Sequence, residues 1–159
     1  MANLEFQDID AFSTFLVGKA EQHLVALNES ASVAAEILFE HALGIYGEHP
    51  PLAELAEATK DERSKIPGIT TDDPLFRTGS LLRNKVEYLH TPARREGLND
   101  VAIAAVGSPE IINLYHEVGY VNARTGRPVP PRPVFMITGK ETGEHLAELF
   151  SAEMKRVFS

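Results

Sequence analysis

Six histidines and many carboxylates are the side chains through which this chain could bind a metal ion or transfer a proton. No two histidines have the H-x-x-x-H spacing that places two metal ligands on one helix face. His116 and Glu117 are adjacent, so their side chains point apart on a helix. The sequence therefore predicts neither a metal site nor a cofactor. The six histidines are His23, His41, His49, His90, His116 and His145.

Patterns that mark nucleophilic or phosphate-binding sites are absent from the sequence. There is no cysteine, no G-x-S-x-G motif, and neither glycine-rich phosphate loop, G-x-x-x-x-G-K-[ST] or G-x-G-x-x-G. The pair Asp72-Asp73 lies among Pro, Gly and Asp residues, where a turn or helix cap is the commoner role. We therefore expect a protein that is not an enzyme. A hydrolase with an unrecognised site is the least favoured alternative.

Charge is distributed unevenly along the chain. Residues 1–60 contain ten acidic and two basic residues and account for the whole net charge of −8. This excess indicates a solvated helical face or an acidic lining that repels nucleic acid. Residues 77–132 contain eight basic and five acidic residues, which favours a charged subunit interface or a solvated loop over base recognition. A head-to-tail ring could place the acids of one subunit beside Arg94 and Arg95 of the next.

A proline-rich segment is the most unusual local feature. Four prolines fall between positions 128 and 133, and each fixes φ near −65° and removes a backbone N–H. The segment is therefore expected to be a stiff extended arm over residues 126–133. We expect the apolar run that follows, residues 134–137, to be a strand that anchors the arm. An arm of this kind suits docking against a neighbour, although a rigid surface loop is the alternative.

The apolar periodicity predicts helices at both ends of the chain and a small sheet between them. The fold class is α+β, with N-terminal helices, a small antiparallel or mixed sheet and a C-terminal amphipathic helix. We expect an acidic helical region over 1–66 and an α+β core over 75–159, together one compact unit. The predicted elements are helices over 8–27, 28–47, 52–58, 110–118 and 144–158, a short helix leading into a strand over 80–88, strands over 101–106 and 134–137, a loop over 66–74 and a turn over 139–143.

Four short motifs follow one another in the second half of the chain. They are Leu75-x-x-Thr78-Gly79-x-Leu81, a strand ending Val106-Gly107-Ser108, Tyr115-His116-Glu117-x-Gly119, and Pro130-Pro131-Arg132-Pro133-Val134-Phe135. In order and spacing the chain resembles the virion morphogenesis proteins of tailed phages, which include minor tail, neck and tail-completion proteins. The resemblance covers residues 75–158. It departs from the family pattern at His116, where Tyr-Ala is commoner than Tyr-His, and at Val134, which separates Pro133 from Phe135.

The resemblance implies a structural protein located in the virion. It implies a homo-oligomeric ring, a hexamer or dodecamer, at the head–tail junction or tail end. Its partners would be other neck, connector or tail-tube proteins. Double-stranded DNA would pass through the channel without sequence-specific binding, and no membrane, cofactor, metal or catalytic residue is implied. The alternative is a monomeric adaptor that binds a protein through the proline-rich arm. Candidate interface residues are Arg94, Arg95, Arg127, Pro130, Pro131, Arg132, Pro133 and Phe135, and the residues of the structural motifs are Thr78, Gly79, Leu81, Tyr115 and Gly119.

Overall fold

The fold is seen in a computed structural model that describes residues 7–46, 52–67, 71, 83–97 and 99–159. The expected α+β class is confirmed: this part of the chain contains four helices and two small two-stranded sheets. No helix in it is long and apolar enough to cross a membrane. The elements are α1 (Ile9–Ile45), α2 (Glu57–Ser64), β1 (Glu87–Glu96), β2 (Asn99–Gly107), α3 (Ile111–Val118), β3 (Tyr120–Val121), β4 (Pro128–Val129) and α4 (Val134–Phe158), with a short 3₁₀ helix at Arg83–Lys85 before β1.

The first long helix, α1, runs without interruption through the expected boundary at Asn28. The prediction of two separate helices is wrong. The Asp8 side chain caps the start of α1 by accepting a hydrogen bond from the backbone N–H of Ala11 at 2.8 Å. Asn28 does not act as a cap. Its side-chain oxygen accepts a hydrogen bond from the backbone N–H of Ala93 in β1 and lies 3.1 Å from Nε2 of His90.

The last helix, α4, begins ten residues earlier than its apolar pattern predicted. The expected strand over 134–137 and the expected turn over 139–143 are both wrong, since both segments are helical. Pro133 precedes the first residue of α4 and accepts the first helical hydrogen bond, from the N–H of Ile137. Glu117 of α3 accepts hydrogen bonds from the N–H groups of Phe135 and Met136 at 3.2 and 2.7 Å. This cap comes from another element, so local sequence does not reveal it.

The central elements agree better with expectation. The strand over 101–106 is confirmed as part of β2, and the helix over 110–118 is confirmed as α3, ending before Gly119. Strands β1 and β2 form a hairpin whose turn includes Gly97 at φ 64°. Strands β3 and β4 pair antiparallel, with Tyr120 opposite Val129. The helix expected over 52–58 is wrong in position, because helical structure begins only at Glu57.

The chain divides into two compact units, each assembled from separate segments. Unit 1 comprises Met1–Ala35, Leu89–Ala104 and Gly143–Ser159, and unit 2 comprises Glu36–Tyr88 and Ala105–Thr142. Each unit therefore draws on both the acidic N-terminal region and the later α+β region. The core of unit 2 consists of the buried residues Ala42, Ile45, Tyr46, Leu52, Val86 and Val134. Phe135 is partly buried and packs against this core.

Candidate assembly surface

Helix α3 has an inverted arrangement: its polar residues face the interior of unit 2, and its apolar residues face outward. Asn113 is buried, and His116 and Glu117, three and four positions later, are half-buried. These positions lie on one face of a helix. The apolar residues on the remaining surface are between 48% and 64% exposed, which is the reverse of an ordinary surface helix. These outward residues are Ile111, Ile112, Leu114, Tyr115 and Val118.

The inward polar residues of α3 are held by specific hydrogen bonds. Asn113 donates from Nδ2 to the Ser108 hydroxyl at 2.6 Å, and its Oδ1 accepts from the Tyr46 hydroxyl at 3.2 Å. Burial, with a smaller contribution from the charge of Glu117, raises the pKa of Tyr46, so this phenol stays protonated as a donor. Glu117 accepts the two N–H groups of α4. Rotating α3 to bury its apolar face would break all these hydrogen bonds. Each buried polar group left without a partner would cost about 1–3 kcal/mol of folding free energy, so the bonds hold α3 in its present orientation.

The apolar surface continues beyond α3 into β3. Val121 is 66% exposed, and the ring of Tyr120 lies 6.0 Å from that of Tyr115. We call this surface the α3 patch, defined by Ile111, Ile112, Leu114, Tyr115, Val118, Tyr120 and Val121. A contiguous exposed apolar patch often marks an interaction site, whereas single exposed apolar residues are normal on protein surfaces.

The segment that follows the α3 patch along the chain is basic. Arg124 and Arg127 are exposed on the connection between β3 and β4, and neither forms an ion pair within the described part of the chain. Glu117 accepts the N–H groups at the start of α4, and Glu110, which directly precedes Ile111, lies 4.0 Å from the ammonium of Lys85. The patch therefore combines an apolar face with positive charge.

The proline-rich arm is attached to its own chain through Arg132. This residue is 4% exposed. Its guanidinium donates from Nε to the carbonyl of Ala53 at 2.9 Å and from Nη2 to the carbonyl of Glu54 at 3.2 Å. Its backbone N–H donates to the carbonyl of His116 at 2.6 Å. Burial lowers the pKa of Arg132, and the nearby Arg63 lowers it further against the opposing effect of Tyr120. The structure thus places Arg132, a candidate interface residue, inside unit 2.

The other candidate residues of the arm differ in exposure. Pro130, Pro131 and Arg127 are exposed, whereas Pro133 and Phe135 are half-buried. Phe135 packs against the core of unit 2. The arm is therefore fixed at its C-terminal end, and its exposed residues all precede Arg132.

The arm packs against Gly119, the residue that follows α3, at a point where no side chain fits. Its φ is 77° and its ψ is 163°, a conformation that only glycine adopts without strain. A Cβ atom added there would lie 3.0 Å from both the backbone N of Pro131 and the carbonyl oxygen of Val129. Gly119 thus lets the arm pass against the end of α3. The other motif residues, Thr78, Gly79 and Leu81, lie outside the described residues.

His116 lies beneath the α3 patch as a neutral imidazole. Burial, with smaller contributions from Arg132 and Arg63, lowers its pKa from 6.5 to about 4. Its Nδ1 is buried without a hydrogen-bond partner among the residues that the structure describes. The ring lies 5.8 Å from that of Tyr120 in an edge-on arrangement. These contacts indicate a packing role.

The expected interface pair Arg94-Arg95 is engaged within the hairpin of unit 1. Arg94 pairs with Glu96 at 2.6 Å. Arg95 donates two hydrogen bonds to Asp100 at 2.8 and 3.1 Å, and Asp100 also lies 2.8 Å from Nδ1 of His23. The bonds from Arg95, then that with His23, lower the pKa of Asp100 to about 2. Both arginines are exposed, but each is paired with an acid of the same hairpin, unlike Arg124 and Arg127.

A second uncovered apolar surface lies at the start of α1 in unit 1. Positions 9, 16, 27, 34 and 45 of α1 are spaced by 7 or 11 residues, about two or three turns, and so lie on one side of the helix. On this side Ala34 and Ile45 are buried, whereas Ile9 and Leu16 are 81% and 48% exposed. We call Ile9, Leu16 and the adjacent exposed Val17 the α1 stripe.

In the described ranges, no three or more His, Asp or Glu side chains are placed to hold a metal ion. Comparisons with protein-family models, curated proteins and solved structures found no match for this chain. Sequence reasoning missed the α3 patch itself. Its only signal was the placement of Asn, His and Glu at one helical face, which taken alone suggests an ordinary solvated side.

Proposed function

We propose that this chain is a structural protein of a tailed-phage virion that assembles with copies of itself. The assembly is a ring at the head–tail junction or tail end, around the channel for double-stranded DNA. The single observation that carries the proposal is the α3 patch. It is apolar, exposed and held in place by a buried polar network, so it is available for contact without rearrangement of unit 2.

The charge distribution supports passage of DNA rather than its capture. The acidic excess lies wholly within residues 1–60, and proteins that bind DNA phosphates use clustered Lys and Arg instead. An acidic lining would repel the phosphates and let the duplex slide.

The alternative of a monomeric adaptor has weaker support. An adaptor that acts through a proline-rich segment needs that segment to be presented to a partner. Here Arg132 and Phe135 are engaged with unit 2, and the exposed residues of the segment are those before Arg132: Gly126, Arg127, Pro128, Pro130 and Pro131. The α3 patch is the larger uncovered apolar surface of the same unit.

Two measurements test the proposed function. Mass spectrometry of purified phage particles from a strain that carries the gene should detect the chain in fixed proportion to the major capsid protein. Electron microscopy of the purified chain, alone and with particles that lack it, should show annular assemblies and restored particles respectively. Absence of the chain from complete particles would contradict the proposal.

A further inference from the structure

We propose that the subunit contact in this ring joins the α3 patch of one copy to the α1 stripe of the next copy. The inference rests on the proposed function, since it identifies the surfaces through which such a ring would close. A cyclic assembly needs two different complementary surfaces on each subunit. Within the described residues, unit 1 presents the α1 stripe and unit 2 presents the α3 patch as exposed apolar surfaces.

The charges that flank the two surfaces are opposite. Asp10 and Glu21 are exposed and 11 residues apart, about three turns, so they lie along one side of the α1 stripe. Lys19 is the basic residue nearest to these acids in the sequence of α1. Its ammonium is engaged within unit 1, where Nζ donates a hydrogen bond to the carbonyl of Val157. The α3 patch is followed along the chain by Arg124 and Arg127, and Glu110 at its start is paired with Lys85 at 4.0 Å. Joining the two surfaces therefore brings acids beside arginines.

The same charges oppose a symmetric contact. If two α3 patches met, the arginines of both copies would be brought together, and two α1 stripes would bring together the acids of both copies. Like charges facing each other across an interface are unfavourable and exclude wrong pairings. The occupant of the α3 patch is therefore the α1 stripe of a second copy.

Charge reversal tests the pairing directly. The first variant carries Asp10→Lys and Glu21→Lys, and the second carries Arg124→Glu and Arg127→Glu. Each variant alone should self-associate about tenfold or more weakly than the wild type at low salt, because like charges then face each other. An equimolar mixture should regain assembly, since both kinds of contact between unlike copies are again of opposite sign.

Matched controls separate this specific effect from a change in net charge. Glu144→Lys with Glu148→Lys, and Lys140→Glu with Lys155→Glu, make the same charge changes at exposed positions of α4. These variants should assemble like the wild type. If the controls weaken assembly as much as the test variants do, the assigned surfaces are wrong.

Apolar substitutions give a second, independent readout. Ile9→Lys with Leu16→Lys damages only the α1 stripe, and Leu114→Glu with Val118→Glu damages only the α3 patch. Each variant alone should stay monomeric by light scattering, with unchanged circular dichroism. A mixture of the two should form a dimer that cannot grow, because each copy retains one intact surface and these complement each other.

The outcomes distinguish failure of the inference from failure of the proposed function. If the wild type forms rings and these variants form them equally well, the pairing is overturned while the ring stands. If the mixture of apolar variants forms complete rings, the pairing is also overturned. If the wild type does not associate at any concentration tested, both proposals fail together.

Discussion

Replacement of Gly119 by Ala tests whether the contact between the end of α3 and the proline-rich arm depends on a missing side chain. The backbone conformation of Gly119, φ 77° and ψ 163°, costs a non-glycine residue about 1–3 kcal/mol. The new Cβ would also lie 3.0 Å from two backbone atoms, at Pro131 and Val129, that cannot rotate away. Displacing these atoms adds to the conformational cost, so we expect a total loss of about 3 kcal/mol or more.

Gly126→Ala provides the matched control for this substitution. Gly126 also has a positive φ, 66°, but no atom lies within 4 Å of an added Cβ. Its replacement should therefore cost only the conformational term, about 1–2 kcal/mol. The difference between the two variants isolates the close approach of the arm to the end of α3.

Urea unfolding followed by circular dichroism measures both losses. With a slope of about 1–3 kcal/mol per molar urea, a loss of about 3 kcal/mol lowers the unfolding midpoint by roughly 1–3 M. The midpoint of Gly126→Ala should fall clearly less. Equal midpoints for the two variants would refute the close packing of the arm against α3.

Three further predictions concern buried or paired charges. Asp100→Asn should reduce the stability loss that the wild type shows as pH falls from about 4 towards 2, because the folded-state pKa of this carboxyl lies near 2, below its unfolded value. Acid titration of unfolding measures the difference, and equal losses in the two proteins would contradict it. His116→Gln should reduce the stability loss between pH 6.5 and about 4, where the imidazole takes up a proton in the unfolded chain but not in the folded one. The same titration measures this, and equal slopes of unfolding free energy against pH for the wild type and the variant would contradict it. Arg132→Lys should destabilise the chain by about 1–3 kcal/mol, since an ammonium cannot reproduce both guanidinium bonds, whereas exposed Arg127→Lys should leave the thermal midpoint unchanged.

The fold class and several central elements could be predicted because their signals are local. The apolar run of β2 and the glycine that follows α3 both act within a few residues of the structure they determine. The errors occurred where distant residues decide the outcome. The start of α4 depends on the carboxylate of Glu117, and the continuity of α1 through Asn28 depends on contacts with β1. Propensity alone cannot weigh such tertiary contacts.

The candidate surface was harder to predict than the fold. The pattern of α3 is amphipathic, and the usual inference is that its apolar side faces the core. The inward orientation of Asn113 depends on Tyr46, 67 positions earlier in the chain. Arg132 was expected at a subunit interface for a similar reason, since its carbonyl partners at Ala53 and Glu54 are 79 and 78 positions away.

The mass of the particle formed by the wild-type chain tests the central claim most directly. Native mass spectrometry or mass photometry should give one closed species, a hexamer or dodecamer, and Leu114→Glu with Val118→Glu should reduce it to the single chain. A wild-type mass that equals one chain at every concentration, with no change on modifying the α3 patch, would contradict the account.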